Sequence, residues 1–265
     1  MIIDCHCHVY PEKIVQKAVE SIGKFYDIPM QSDGRTETLI KESEKVGITH
    51  NVIFSVATKP AQVRSINHFI AEVVSKYPKR FIGLGTLHPD SDEIESEVDE
   101  IISLSLKGVK LHPDIQGIAV DDPRCMKIYE ACRGKLPVLV HAGDKRYDFS
   151  NPDRIATVLE KFPDLTLIAA HFGGYSVWDE AVEKLCKYPN VYVDCSSSMA
   201  MISAEKATEI IHKYGAEKVL YATDFPMWPL DEEMQRFNAL SLTDEERELI
   251  FYKNALRVFG LQKNI

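Results

Sequence analysis

Two histidines near the N-terminus could form half of a metal site. His6 and His8 belong to the segment Asp4-Cys5-His6-Cys7-His8, which ends a short strand-like run. On a β-strand, residues two apart point to the same face, so the two imidazoles would lie side by side. Imidazole nitrogens are common ligands of divalent metals. The spacing therefore predicts that this strand supplies two ligands to one metal.

Further candidate ligands each follow a later apolar run. His141 follows Leu-Val, His171 follows Ala-Ala and Asp224 follows Ala-Thr. Together His6, His8, His141 and Asp224 would offer three nitrogens and one oxygen and leave a position open, as catalytic metal sites do. Zinc is the favoured ion, with manganese, iron, cobalt and nickel as alternatives. Water on such a metal becomes a nucleophile near neutral pH, and Asp224 could accept its proton.

Eight strand-like runs alternate with helical patterns. The runs are 2–8, 51–56, 81–88, 108–112, 137–141, 165–171, 191–196 and 219–224. This alternation predicts a parallel sheet. Eight units without a long linker fit a closed (β/α)₈ TIM barrel, one α/β domain over 1–265. An open doubly wound sheet is the alternative, but it would not normally bring residues from four separated strands together. Segment 9–35 is expected to be a helix-containing excursion over the barrel mouth.

Bulk properties exclude several classes of protein. A net charge of −9 over 265 residues argues against non-specific binding to nucleic acid or anionic membranes. No apolar run approaches the length of a membrane span, and Met1 leads directly into strand-like residues without a signal peptide. We therefore expect a cytoplasmic protein whose six scattered cysteines are mostly free thiols. Cys5 and Cys7 alternate with the histidines and should face the helices as core.

Several motifs resemble the amidohydrolase superfamily, in the branch that includes aminocarboxymuconate semialdehyde decarboxylase-like enzymes. They are Asp-Cys-His-Cys-His at 4–8, Gly-Val-Lys-Leu-His-Pro at 108–113, His-Ala-Gly at 141–143, Ala-His-Phe-Gly-Gly at 170–174, Ala-Thr-Asp-Phe-Pro at 222–226 and Asn-Ala at 254–255. The resemblance spans the chain. It implies that His6, His8, His141 and Asp224 ligate metal and that His171 is a catalytic histidine. A single metal is favoured; the alternative has two metals bridged by a carboxylated Lys110, with His171 as a ligand.

The expected substrate is a small anionic molecule. Lys110 and His112 alternate with apolar residues and should face the barrel axis. Arg146 lies in the loop after His141 and could grip a carboxylate with its forked donors. Asp194 and Ser196, at the end of the seventh run, are further candidate substrate contacts.

Two reaction classes fit this set of residues. In a hydrolase, metal-activated water attacks a carbonyl, Asp224 accepts its proton and His171 steadies the oxyanion. In a non-oxidative decarboxylase, carbon dioxide leaves and Asp224 or His171 carries out the proton transfer. Hydrolysis is preferred because it is the commoner chemistry in the family that the chain resembles. A barrel that only binds metal is a third alternative, although it would not need the extra imidazole of His171. A homodimer is the default expectation for the assembly.

Overall fold

Strands and helices alternate throughout the computed structural model, which describes residues 1–262. The strands are β1 (Ile3–His8), β2 (His50–Phe54), β3 (Phe81–Gly83), β4 (Gly85–Thr86), β5 (Val109–Leu111), β6 (Val138–Val140), β7 (Leu167–Ala169), β8 (Val191–Asp194) and β9 (Val219–Leu220). The helices are α1 (Val15–Tyr26), α2 (Thr36–Lys45), α3 (Val63–Lys76), α4 (Ile94–Ser103), α5 (Pro113–Gln116), α6 (Pro123–Cys132), α7 (Pro152–Lys161), α8 (Trp178–Leu185), α9 (Ala204–Tyr214), α10 (Leu230–Asn238), α11 (Asp244–Glu248) and α12 (Asn254–Val258). A π-helical turn, Leu249–Lys253, joins α11 to α12.

The strands form a ring of parallel neighbours. Hydrogen-bonded pairs run from β1 to β3 and from β4 to β9. The third strand of the barrel is divided into β3 and β4 at Leu84. The Leu84 amide donates to the Ile53 carbonyl (3.0 Å), which maintains the contact with β2. The ring closes where the Cys5 amide donates to Tyr221 O (2.9 Å) and the Asp224 amide donates to His6 O (3.0 Å). These bonds confirm the predicted α/β barrel and place the residues after the strands at one mouth.

The strand side chains form two buried layers, one between the strands and the helices and one inside the barrel. An outer layer packs strand residues such as Val109 and Val140 against the surrounding helices. An inner layer joins Cys5, Leu139 and Ile168. The prediction that both N-terminal cysteines face the helices is therefore right for Cys7 and wrong for Cys5. The pairing of β1 with β2 shifts register between Asp4 and Cys7, and such a bulge breaks strict alternation of faces.

The segment between β1 and α2 crosses the barrel mouth, as the sequence predicts. Its helix α1 is followed by the capping residue Asp27, which has a left-handed φ of 55°. Beyond it, the amides of Gln31 and Ser32 both donate to Pro226 O (3.1 Å), which ties the segment to the loop after β9. This helix therefore forms part of the wall over the site. Within residues 1–262, every helix is too short or too polar to cross a bilayer.

Candidate metal centre and active site

Three predicted ligands converge at the mouth of the barrel. Asp224 Oδ1 lies 3.4 Å from His6 Nε2 and 3.6 Å from His8 Nε2. The three ligand atoms lie within 4.8 Å of one another. His6 is almost completely buried and His8 is only partly exposed. Two imidazole nitrogens and a carboxylate oxygen at this separation are a donor set that suits zinc and similar divalent ions.

Asp224 is oriented by the residues that follow β8. Ser197 Oγ donates to Asp224 Oδ2 (2.5 Å), and Trp228 Nε1 donates to Ser197 Oγ (2.8 Å). This arrangement leaves Oδ1 facing the histidines. The backbones of His171, Ser197 and Asp224 adopt left-handed φ values of 59°, 53° and 66°. Non-glycine residues adopt this region at an energetic cost, and such strain clusters at functional sites.

Asp194 fixes the orientation of His6. His6 Nδ1 donates to Asp194 Oδ2 (2.9 Å), which makes Nε2 the ring nitrogen whose lone pair can accept a hydrogen bond or bind a metal. The other carboxylate oxygen accepts from the His171 amide (3.0 Å) and the Ser196 amide (3.1 Å). Burial alone would raise the pKa of Asp194, but its electrostatic interaction and hydrogen bond with His6 hold that pKa below its usual value. The structure thus gives Asp194 a supporting contact with a ligand.

His171 and His141 face each other across the mouth. His171 Nδ1 donates to the Ser196 carbonyl (3.0 Å), and its Nε2 lies 3.0 Å from His141 Nδ1. Burial lowers the pKa of His171 to about 4, so the free imidazole is neutral at pH 7. His141 Nε2 lies 3.2 Å from Asp114 Oδ2 without hydrogen-bond geometry. Burial raises the pKa of Asp114 to about 7.

The four predicted ligands are thus divided between two neighbouring groups. His6, His8 and Asp224 form one group, whereas His141 is grouped with His112 and Asp114. The His141 and His171 ring centroids lie 4.8 Å apart, and those of His171 and His6 lie 5.2 Å apart. His171 therefore lies between the groups, and His141 as a metal ligand stays a prediction.

Lys110 points to Nε2 of His6, the nitrogen that is the candidate metal ligand. Its Nζ donates to His6 Nε2 (3.1 Å) and lies 5.0 Å from the centre of the Phe54 ring. The side chain is fully buried, and this burial lowers the Lys110 pKa to about 8. The predicted inward orientation of Lys110 is therefore found, with the amine beside the candidate metal position.

Segment 9–35 contributes Tyr26 to the site, a residue that could not be singled out from the sequence beyond its place in that segment. His112 Nδ1 accepts from the Ile115 amide (3.4 Å), so His112 Nε2 donates to the Tyr26 hydroxyl (2.8 Å). The His112 ring also stacks on His141, with centroids 4.1 Å apart. Together with Ile22, Tyr26 closes the pocket at the candidate metal centre, called the metal-site pocket below, whose remaining space is about 20 Å³. This space holds about one water molecule.

The guanidinium group of Arg146 forms hydrogen bonds with other residues of the protein. Its guanidinium forms a fork with the buried Asp144, with 2.7 Å between Nη2 and Oδ2, and donates through Nη1 to Phe25 O (2.8 Å). The same group lies 5.3 Å from the Tyr26 ring centre and 5.2 Å from that of Tyr147. These contacts anchor the C-terminal end of α1. Recognition of a substrate carboxylate by Arg146 stays a prediction.

We expect Arg146→Lys to loosen the end of α1, because lysine cannot reproduce the fork and the bond to Phe25 together. Loss of one net hydrogen bond, about 0.5–1.5 kcal/mol, predicts a roughly two- to tenfold rise in local opening. Limited proteolysis within residues 15–30 measures this rise, with Arg154→Lys on α7 as the control. Unchanged proteolysis together with an increased KM would instead support direct contact with substrate.

Comparisons with known proteins agree with this architecture. A family model described as "Amidohydrolase" matches residues 3–261. The chain is 26% identical to 2-amino-3-carboxymuconate-6-semialdehyde decarboxylase from Dictyostelium discoideum, over 99% of this chain and 85% of that protein. An uncharacterized TIM-barrel protein from Bordetella bronchiseptica superposes with a TM-score of 0.82 at 22% identity, covering 98% of both chains. A dihydroxybenzoic acid decarboxylase from Polaromonas sp., solved with manganese and 2-nitroresorcinol, gives a TM-score of 0.75 at 17% identity over 98% of this chain and 96% of that one. The two structural likenesses show the fold.

Proposed function

Because the chain belongs to the amidohydrolase family, we propose that it is a metal-dependent decarboxylase of a small carboxylic acid. The observation that carries this proposal is the convergence of His6, His8 and Asp224 in a buried pocket that also contains Lys110 and His171. The decarboxylases among the similar proteins favour carbon dioxide release over hydrolysis. The sequence alone favoured hydrolysis, whereas decarboxylation is now the preferred reaction.

The residues present fit a divalent metal. His6 Nε2, His8 Nε2 and Asp224 Oδ1 would hold it, and His141 is the predicted fourth ligand. Zinc is the ion favoured by the donor types, and manganese is bound in the Polaromonas structure. When bound, the metal would supply positive charge that holds and orients substrate oxygens. Asp194 would keep the His6 ring in place through its bond to Nδ1.

The protein's own groups have two tasks in this reaction. A carboxylate substrate gains one proton on carbon, its carbon–carbon bond breaks, and carbon dioxide leaves. His171 and Asp224 both line the pocket and are the candidates to take up a proton from solvent and pass it to that carbon. Lys110 also lines the pocket, and its amine would attract an anionic substrate. The nearly filled pocket would exclude bulk water from the reacting carboxylate, which strengthens these interactions.

Isotope labelling tests the reaction class. The screen should combine dihydroxybenzoates, carboxylated vanillates and muconate-like semialdehydes with lactones and amides. For any substrate that reacts, we expect one carbon dioxide per turnover and a solvent deuterium on the product carbon in heavy water. We expect no oxygen-18 from labelled water in the organic product. A new carbon–oxygen bond carrying the label, without carbon dioxide, would show hydrolysis instead.

A further inference from the structure

An apolar groove lies directly beside the metal-site pocket. It is bounded by α1, by the loop after β2, by α3 and by α5, and its volume is about 370 Å³. The two spaces share the walls formed by His8, Tyr10, Ile22 and His112. The groove therefore continues outward from the candidate metal centre. Its size falls within the usual range of ligand pockets.

The walls of the groove are uncharged. Four isoleucines line it, namely Ile14, Ile22, Ile66 and Ile115, together with hydroxyl and amide side chains near its rim. Its lining among residues 1–262 contains no Asp, Glu, Lys or Arg. Ile14 is 50% exposed, and Thr58 and Ser65 at the rim are also exposed. The groove is thus open to solvent at one end and reaches the buried His112 at the other.

The two spaces differ in what they can accommodate. The metal-site pocket has about 20 Å³, which is far less than an organic acid needs. The groove has room for an aromatic ring and provides apolar side chains to pack on it. A second anionic group placed against these uncharged walls would lose water contacts without gaining a cationic partner, which is unfavourable.

We infer that this groove binds the body of the substrate and that the substrate is a monocarboxylate with an uncharged, largely apolar ring or chain. Its carboxylate reaches the metal-site pocket past His8 and His112, and its body lies between α1 and α3. The inference rests on the proposed function only in taking the substrate to be a carboxylate. It narrows the substrate class to acids with one negative charge.

Binding of three simple acids to the metal-loaded protein tests this inference without turnover. The probes are acetate, benzoate and terephthalate, measured by calorimetry and by spectra of isoleucine methyl groups. We expect benzoate to shift the methyl signals of the four groove isoleucines and to leave that of Ile70 unchanged. We expect terephthalate to bind at least about tenfold more weakly than benzoate, because its second carboxylate would lie in the uncharged groove.

Two variants should fill the groove from opposite sides. Ala18→Trp on α1 and Ser65→Trp on α3 should each weaken benzoate binding about tenfold or more and leave acetate binding and metal content unchanged. Gln16→Trp, on the exposed side of α1, is the matched control and should bind benzoate normally. The inference would be overturned if benzoate left the groove methyl signals unshifted or if terephthalate bound as tightly as benzoate. It would also be overturned if both variants bound benzoate normally, or if they lost acetate binding in parallel. Because no step depends on catalysis, these results are independent of whether the enzyme proves to be a decarboxylase.

Discussion

The double variant His6→Ala/His8→Ala should lose its metal and its activity together. Each substitution removes one of the two imidazole nitrogens that face Asp224 Oδ1. Asp224 and the predicted fourth ligand His141 are too few donors to hold a divalent ion tightly. We expect metal content to fall from near one per chain to a small fraction, measured by elemental analysis after dialysis. Activity should fall by about 10³-fold or more, since the charge of a bound metal is worth several kcal/mol at the transition state.

Two controls isolate this effect from a loss of folding. His68→Ala removes an exposed imidazole on α3 and should keep both metal and activity. Circular dichroism of the double variant should retain the helical signal, because the helices pack on the outer layer of the barrel. A double variant that keeps its full complement of metal would show that the ligands have been assigned wrongly.

His171→Asn should separate catalysis from metal binding. In the single-metal site, His171 supplies an imidazole beside the ligands, and its Nδ1 is already engaged by the Ser196 carbonyl. Asparagine fits the space but cannot exchange a proton near neutral pH. General acid–base catalysis contributes about 10²–10⁴-fold, so we expect kcat to fall by that factor while metal content stays unchanged.

The same variant distinguishes one metal from two. If His171 were a ligand of a second metal, His171→Asn would lose part of the metal along with activity, and Lys110→Ala would behave in the same way. Mass spectrometry of the intact protein would then show a carboxyl adduct on Lys110. His212→Asn, which alters an exposed imidazole on α9, serves as the control for the substitution itself. Loss of metal from His171→Asn would contradict the single-metal site that we favour.

Periodicity predicted the barrel because each strand and helix carries its own local signal. The pair of histidines on β1 was also predictable, since residues two apart share a face and both nitrogens do point to Asp224. The orientation of Cys5 was not predictable in this way. One extra residue in the pairing of β1 with β2 changes the face, and the sequence gives no separate sign of such a bulge.

The features of the site that could not be predicted from the sequence depend on contacts between distant segments of the chain. Asp194 was singled out as a substrate contact, but its partner is His6, at the other end of the chain. Tyr26 reaches the mouth only because α1 folds back over it. Ser197 supports Asp224, and the run of serines at 196–198 after β8 was the one available hint. Such contacts depend on tertiary geometry, which spacing along the chain does not encode.

The order in which a ribosome makes this protein bears on its metal site. His6 and His8 emerge long before Asp224 and the backbone that closes the ring against Cys5. Domains generally fold as units during synthesis, which proceeds at about 5–20 residues per second. Until Asp224 is made, a nascent chain therefore carries the two imidazoles without the carboxylate that completes the cluster. Tight capture of the proposed metal would have to wait for the residues after β9, and fragments that stop before β9 should be unable to retain the ion.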